Sequence, residues 1–259
     1  MGRNNRSAKS LVLVHGYLGG SEQWELQQRH FSNHFDVFTP DLPGFGNSSS
    51  LESPSSICGY ADHVIKQINE KGINRFHLLG HSMGGMIVQE IVRKVPNRVD
   101  KLVLYGTGSI GSLPGRFESL AESRKRVIDD GVIATSRRIA ATWFLQLDEA
   151  EHYPLIAEIA SKASQQAALN GLTAMEHWKG EQHLKNISAD TLIIWGDRDR
   201  AYPWQQEEIL WKNIANSYLS VVPGCSHAVH LEKTQIFNHI VLDFLLADEA
   251  SKKLPTQVN

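Results

Sequence analysis

The chain has only two cysteines, Cys58 and Cys225, in 259 residues. A pair cannot make a disulfide framework, so stability has to come from a buried core, and two reduced thiols in a cytosolic protein is the expectation. No apolar run approaches the length that crosses a bilayer. The first such run, LVLV from Leu11, is also too short for the core of an export signal. Before it stands the polar, basic stretch MGRNNRSAK, read as a mobile leader over residues 1–9. Gly2 raises the question of myristoylation, but Arg6 stands where that motif needs Ser or Thr. Charge of one sign is missing too. Twenty-six basic against 28 acidic residues leave a formal net charge of −2, which gives no reason to expect nucleic acid or an anionic membrane as partner. These absences point to the cytoplasm and to small-molecule chemistry.

What is present suits one α/β domain with a sizeable insertion. Apolar residues make up 41%, enough for a proper core. Short β-rich runs fall at Leu11–Val14, Asp36–Thr39, Phe76–Gly80, Lys101–Tyr105, Thr191–Trp195 and Tyr218–Val222. Most are continuously apolar, as strands buried on both faces are. Helical spacing recurs between them, over Tyr60–Lys71, Met83–Val95 (Pro96 follows) and Thr234–Leu246. Alternation of this kind predicts a mainly parallel central sheet with helices on both faces. The rhythm breaks between Ile110 and Ile187. There the patterns are helical only, over Val127–Phe144, Pro154–Ser164 and Ala167–Trp178. The expected organisation is a core of residues 1–109 and 188–259 interrupted by a helical lid or cap, 110–187. The tail Ser251–Asn259 is expected to fray.

The central motif is Gly80-His81-Ser82-Met83-Gly84. It fits Gly-x-Ser-x-Gly and stands between a strand pattern, FHLLG, and a helix pattern, MGGMIVQEIV, the context that gives the motif meaning. A serine on a sharp strand-to-helix turn projects its hydroxyl clear of the sheet, and small residues on either side let strand and helix approach. The helix N-terminus favours negative charge developing beside it. Acyl transfer also needs donors for an oxyanion. The backbone N–H of Met83 is one candidate. The second is the N–H of Tyr17 in the loop His15-Gly16-Tyr17-Leu18-Gly19-Gly20. His15, so close to the strand end, is read as a brace for that loop rather than as a base.

A serine hydroxyl needs a base, usually histidine held by a carboxylate. After the strand TLIIW come Asp197 and Asp199 in GDRDR. Asp199 lies further out on the loop and is the preferred acid, while Asp197 is placed to fix the turn. After YLSVV come His227 and His230. His227 follows the strand directly and is the preferred base. His230 is expected on the next helical turn, facing solvent or the lid. Cys225 reads as a small buried residue.

Taken together, HGYLGG, DLPGFGNS, GHSMGG, WGDRD and GCSHAVHLEK resemble the α/β-hydrolase family over nearly the whole chain. The resemblance implies Ser82 as nucleophile, Asp199 as acid, His227 as base, and Tyr17 and Met83 at the oxyanion-hole positions. Asp41 to Gly46 match a structural turn. Serine at the elbow disfavours the haloalkane dehalogenases and epoxide hydrolases, which carry aspartate. The middle segment is similar to the lid of enol-lactonases and small esterases, and DLPGFGNS to a loop of carrier-protein methyl esterases. The implied activity is hydrolysis of a carboxylic ester or (enol-)lactone with no metal and no cofactor. Trp143, Phe144 and Trp178 are the candidate lining of an acyl pocket. Carbon–carbon hydrolases of ring-cleavage products share the triad, though they often carry asparagine where His81 stands. A perhydrolase, or a non-catalytic receptor of the same fold, are further alternatives. Substrate identity and oligomeric state are not legible.

Overall fold

A computed structural model of the chain describes residues 9–247. Most of the expected leader and all of the expected frayed tail lie outside them. Six strands are present: β1 Ser10–Val14, β2 Asp36–Phe38, β3 Phe76–His81, β4 Val99–Tyr105, β5 Asp190–Gly196 and β6 Ser217–Val222. Each coincides with one of the six apolar runs. They form one all-parallel sheet in the order β2-β1-β3-β4-β5-β6. The helices are α1 Glu25–Phe31, α2 Ile57–Glu70, α3 Met83–Lys94, α4 Leu120–Asp129, α5 Val132–Ala141, α6 Tyr153–Ser161, α7 Gln165–His177, α8 Trp204–Asn213, α9 Val229–Glu232 and α10 Thr234–Leu246.

Period-two alternation divides the strand side chains between two cores. Val12, Val14, Leu78, Leu102 and Leu104 face one core with α2, α3 and the helices that follow β4. Leu11, Leu13, Leu79, Val103 and Ile194 face the other, with Trp24, Phe31 and the apolar side of α10. Burial on both faces explains why these strands read as unbroken apolar runs rather than as alternating ones.

The strand order also fixes where chemistry can sit. From β1 the chain moves to β2 on one side, then returns past β1 to β3 and continues the other way. In open α/β sheets, ligands bind outside the carboxyl ends of the strands at such a reversal. The loops after β1 and β3 carry Tyr17 and Ser82, so both stand at that crevice.

Between β4 and β5 the chain makes α4 to α7 and adds no strand to the sheet. An isolated bridge, Ile110 to Lys179, joins the two ends of the excursion, with Gly180 N–H donating to the Ser109 carbonyl at 2.8 Å. The helical pattern expected over Val127–Phe144 is two helices. Gly131 separates them at φ +85°, a conformation open to glycine and costly to other residues. Ser119 and Glu122 form a reciprocal capping box at the start of α4, and Ser164 caps α7. No helix of the described residues is long and apolar enough to cross a membrane.

Candidate active site

The backbone around Ser82 explains the Gly-x-Ser-x-Gly pattern atom by atom. Ser82 has φ +58° and ψ −124°, a strained conformation for a residue with a side chain. It persists because the backbone is pinned. The Ser82 N–H donates to the Tyr105 carbonyl at 2.9 Å, and the Ser82 carbonyl accepts from the Gly85 N–H and the Thr107 hydroxyl, each at 2.8 Å. A Cβ on Gly80 would lie 2.3 Å from the Gly84 carbonyl oxygen, and one on Gly84 would lie 2.4 Å from that of Val14. Both glycines are therefore required by close backbone approach, not by flexibility.

The loop after β1 meets the elbow equally closely. A Cβ on Gly16 would fall 2.8 Å from Ser82 Cβ, so only glycine lets this loop pass. His15 is fully buried and braces the loop. Its Nδ1 bonds the Gly16 carbonyl at 2.8 Å, and its Nε2 accepts from the Leu42 N–H at 2.9 Å. That pairing requires the neutral tautomer with the proton on Nδ1. Burial lowers its pKa and favours the same neutral form. The Tyr17 phenol donates to the Ala168 carbonyl of α7 at 3.1 Å, which anchors the loop to the excursion. Met83 is the first residue of α3, so its N–H has no intrahelical acceptor and points out of the helix end.

Across the crevice, His227 Nδ1 lies 2.7 Å from Asp199 Oδ2, with both side chains almost wholly buried. The other carboxylate oxygen of Asp199 accepts from the N–H groups of Ala201 and Tyr202 at 2.7 and 3.1 Å. Asp199 is thus held in place through contacts on both oxygens. Asp197 does a different job. Its Oδ1 accepts from the Gly224 N–H at 2.7 Å and ties the loop after β5 to the loop after β6. Gly106, at φ +50°, gives the pair room, since a Cβ there would sit 3.2 Å from His227 Nδ1. Cys225 is buried, and burial pushes its thiol up to about 12, so it carries no thiolate.

His230 departs from expectation. It does lie in a helical turn, α9, but it is fully buried, with Nδ1 2.9 Å from the Tyr105 hydroxyl and its ring 4.8 Å from that of Trp24. His81 is buried in the same cluster and stacks on Tyr105 at 4.5 Å. Its Nε2 lies 3.1 Å from the His227 carbonyl, so this ring steadies the histidine loop from below. Burial and the neighbouring histidines lower the pKa of His81 well below the ordinary value and keep it neutral.

Ser82 and His227 open into one small cleft, with a cavity volume of about 20 Å³, lined also by Tyr17, Arg116, Trp143 and Tyr202. Phe117, Ile139, Met175 and Ala201 supply the rest of its wall. Of the three aromatics expected there, Trp143 lines the cleft, edge-on to His227 at 5.6 Å. The other two are corrected. Phe144 is buried and turned toward α9 beyond the cleft, and Trp178 packs beside α3 with its indole N–H donating to Glu90 at 3.1 Å. Both pack toward the α/β core rather than line the cleft. Two cleft residues carry no motif and escaped sequence reading. Tyr202 stacks on His227 at 5.6 Å and 13° and lines the cleft with Ser82. Arg116 brings a guanidinium into the wall. Three residues beyond Asp199, Tyr202 was within reach of a search for loop neighbours, whereas Arg116 had no signal.

Comparison with known proteins identifies the fold family. A family model described as alpha/beta hydrolase fold matches residues 9–234. A 2-hydroxy-6-oxononadienedioate/2-hydroxy-6-oxononatrienedioate hydrolase from Pseudomonas putida is 31% identical over 258 residues, covering 92% of this chain and 88% of that protein. A 2-hydroxy-6-oxo-6-phenylhexa-2,4-dienoate hydrolase from Burkholderia cepacia is 25% identical, with 92% and 87% covered. Among solved structures, an enol-lactonase from Burkholderia xenovorans LB400 superposes with a TM-score of 0.86 at 21% identity, covering 95% of this chain and 94% of that one.

Proposed function

Because the chain belongs to the α/β-hydrolase family, we propose that it is a serine hydrolase that opens a carboxylic ester or (enol-)lactone through Ser82, His227 and Asp199. The observation that carries this reading is the strained, pinned Ser82 sharing one cleft with a histidine whose far nitrogen is locked to a doubly held carboxylate. The Ser82 hydroxyl gives its proton to His227 Nε2. The alkoxide attacks the carbonyl carbon. The N–H groups of Tyr17 and Met83 receive the oxyanion, aided by the N-terminus of α3. The tetrahedral adduct collapses, the leaving alcohol takes the proton from His227, and water on the same base then releases the acyl group. Asp199 keeps the ring tautomer and stabilises the imidazolium in both halves.

Residues 110–187 act as a lid over this cleft, an assignment supported by Trp143 from the segment after α5 and Met175 from α7 in its wall. Two free cysteines are consistent with work in a reducing compartment, the cytoplasm.

A second reading is favoured by the curated relatives, whose names describe hydrolases of dienoates and dienedioates. In it the same three residues cleave a carbon–carbon bond next to a ketone in a vinylogous diketo acid. The separating experiment offers wild type and Ser82→Ala p-nitrophenyl acetate, butyrate and octanoate, and separately a coloured ring-cleavage dienoate. Ester turnover that disappears in Ser82→Ala supports the first reading. Bleaching of the dienoate without ester hydrolysis supports the second. Ester turnover that persists in Ser82→Ala overturns both.

A further inference from the structure

Arg116 is an expensive residue for its position. It stands in the segment joining β4 to α4 and lines the cleft that holds Ser82 and His227. Its Nη1 donates to the Glu118 carbonyl at 2.8 Å and to the Ser123 hydroxyl at 3.2 Å. Among the described residues, Nε and Nη2 have no hydrogen-bond acceptor, and no carboxylate lies within ion-pair distance of the guanidinium. Glu118, the nearby acid, is engaged elsewhere, 2.7 Å from Arg138 and 3.3 Å from Arg126. Asp199 is committed to His227 and to two backbone amides. Among the described residues lining the cleft, Arg116 is therefore the one permanent charge, set among Phe117, Ile139, Trp143 and Met175.

A partly desolvated cation without an anion is costly, and arginine cannot shed its proton to escape that cost. Burial pushes its pKa down without neutralising it. The guanidinium lies 4.3 Å over the Phe117 ring, and this cation–π contact offsets part of the cost but satisfies neither Nε nor Nη2. A guanidinium held through Nη1 in the wall of an apolar cleft keeps Nε and Nη2 as a fork of the kind that receives a carboxylate.

We propose that Arg116 binds a free carboxylate of the substrate, so that the cleft selects acyl compounds bearing an acid group over their neutral counterparts. The proposal rests on the assignment of Ser82 as nucleophile and adds to it the substrate class. The acid group anchors on the fork while the carbonyl lies over Ser82, so recognition and reaction occur at opposite ends of one short molecule.

The test compares two probes that differ in one group, the mono-p-nitrophenyl ester of adipic acid and its methyl-capped diester. Wild type is expected to show a kcat/KM at least about tenfold higher for the free acid, since a charge-assisted pair is worth one to two orders of magnitude. In Arg116→Gln that ratio falls toward one, and Arg116→Lys, which keeps the charge but not the fork, lies between. A wild-type ratio at or below one, or an Arg116→Gln ratio equal to that of wild type, overturns the proposal. Equilibrium binding of adipate itself, by calorimetry on wild type and on Ser82→Ala, needs no turnover. Adipate binding that weakens at least about tenfold in Arg116→Lys supports the carboxylate site even if neither ester is hydrolysed, a result that would count against the esterase reading alone. Equal binding by wild type and Arg116→Lys, or no binding by either, counts against the carboxylate site while leaving Ser82 untouched.

Discussion

Two aspartates two residues apart show how residue-scale geometry divides labour. Asp199 faces His227, and Asp197 faces the Gly224 amide. Asp199→Asn is expected to leave the fold intact and lower kcat by about 10³–10⁴-fold, because an amide cannot hold the imidazole in the required tautomer or stabilise its charge. Asp197→Ala loses one loop-tying hydrogen bond and is expected to cost about 1 kcal/mol in urea melts while retaining most of the activity. The reverse ranking would mean that the acid has been misassigned. At this scale the sequence was legible wherever chemistry leaves a spaced motif: Ser82, Asp199, His227 and the bracing role of His15 could all be named from it. It was not legible where a residue's direction decides its role. Phe144 and Trp178 have the right composition for a pocket and point away from it, while Tyr202 and Arg116 gain importance only from what lies opposite them.

At the scale of elements, the six strands were readable because burial on both faces removes polar residues from them. The helices α1 and α8 were not. Their sequences, ELQQRHF and WQQEEILWKN, carry few apolar residues, and a handful of buried contacts such as Phe31 and Leu210 hold them to the sheet. The split of α4 from α5 rests on one glycine that a periodicity argument passes over. Gly131→Ala is expected to destabilise the protein by about 1 kcal/mol through its positive φ, a loss readable by thermal melting. A stronger effect is expected at the junction of elements. Gly16→Ala drives a methyl group into Ser82, 2.8 Å away, and into the His81 carbonyl, 2.9 Å away. Overpacking of this kind costs about 1–3 kcal/mol, and here it also displaces the loop that carries Tyr17, so catalytic rate should fall further than stability. Gly16→Ala activity close to wild type would show that the β1 loop is not needed for the reaction.

For the whole molecule, the sheet's two covered faces enclose several histidines in neutral form. His77 is the clearest. It is almost wholly buried, packs edge-on against Phe35 at 5.5 Å, and neither ring nitrogen has a hydrogen-bond partner among the described residues. Burial pushes its pKa down to about 4 from an ordinary 6.5. The unfolded chain therefore takes up a proton there before the folded one does. Stability is full above pH 6.5 and is lost as pH falls toward 4, by about 3 kcal/mol from this group if the whole shift is realised. His15, His81 and His230, lowered by burial as well, add in the same direction. Urea melts at pH 7, 5.5 and 4.5 should show that decline, and His77→Leu should flatten part of it. Identical pH dependence in the variant would mean that His77 has the same pKa in the folded and unfolded chain.

Every step of the proposed reaction depends on Ser82 being a nucleophile made reactive by His227. A fluorophosphonate probe, followed by intact mass and peptide mapping, reads that directly and needs no knowledge of the natural substrate. The expected result is a single adduct on the peptide containing Ser82, absent in Ser82→Ala and formed at least about a hundredfold more slowly in His227→Ala. An adduct that forms as fast on Ser82→Ala, or none on the wild type, would show that Ser82 is not an activated nucleophile.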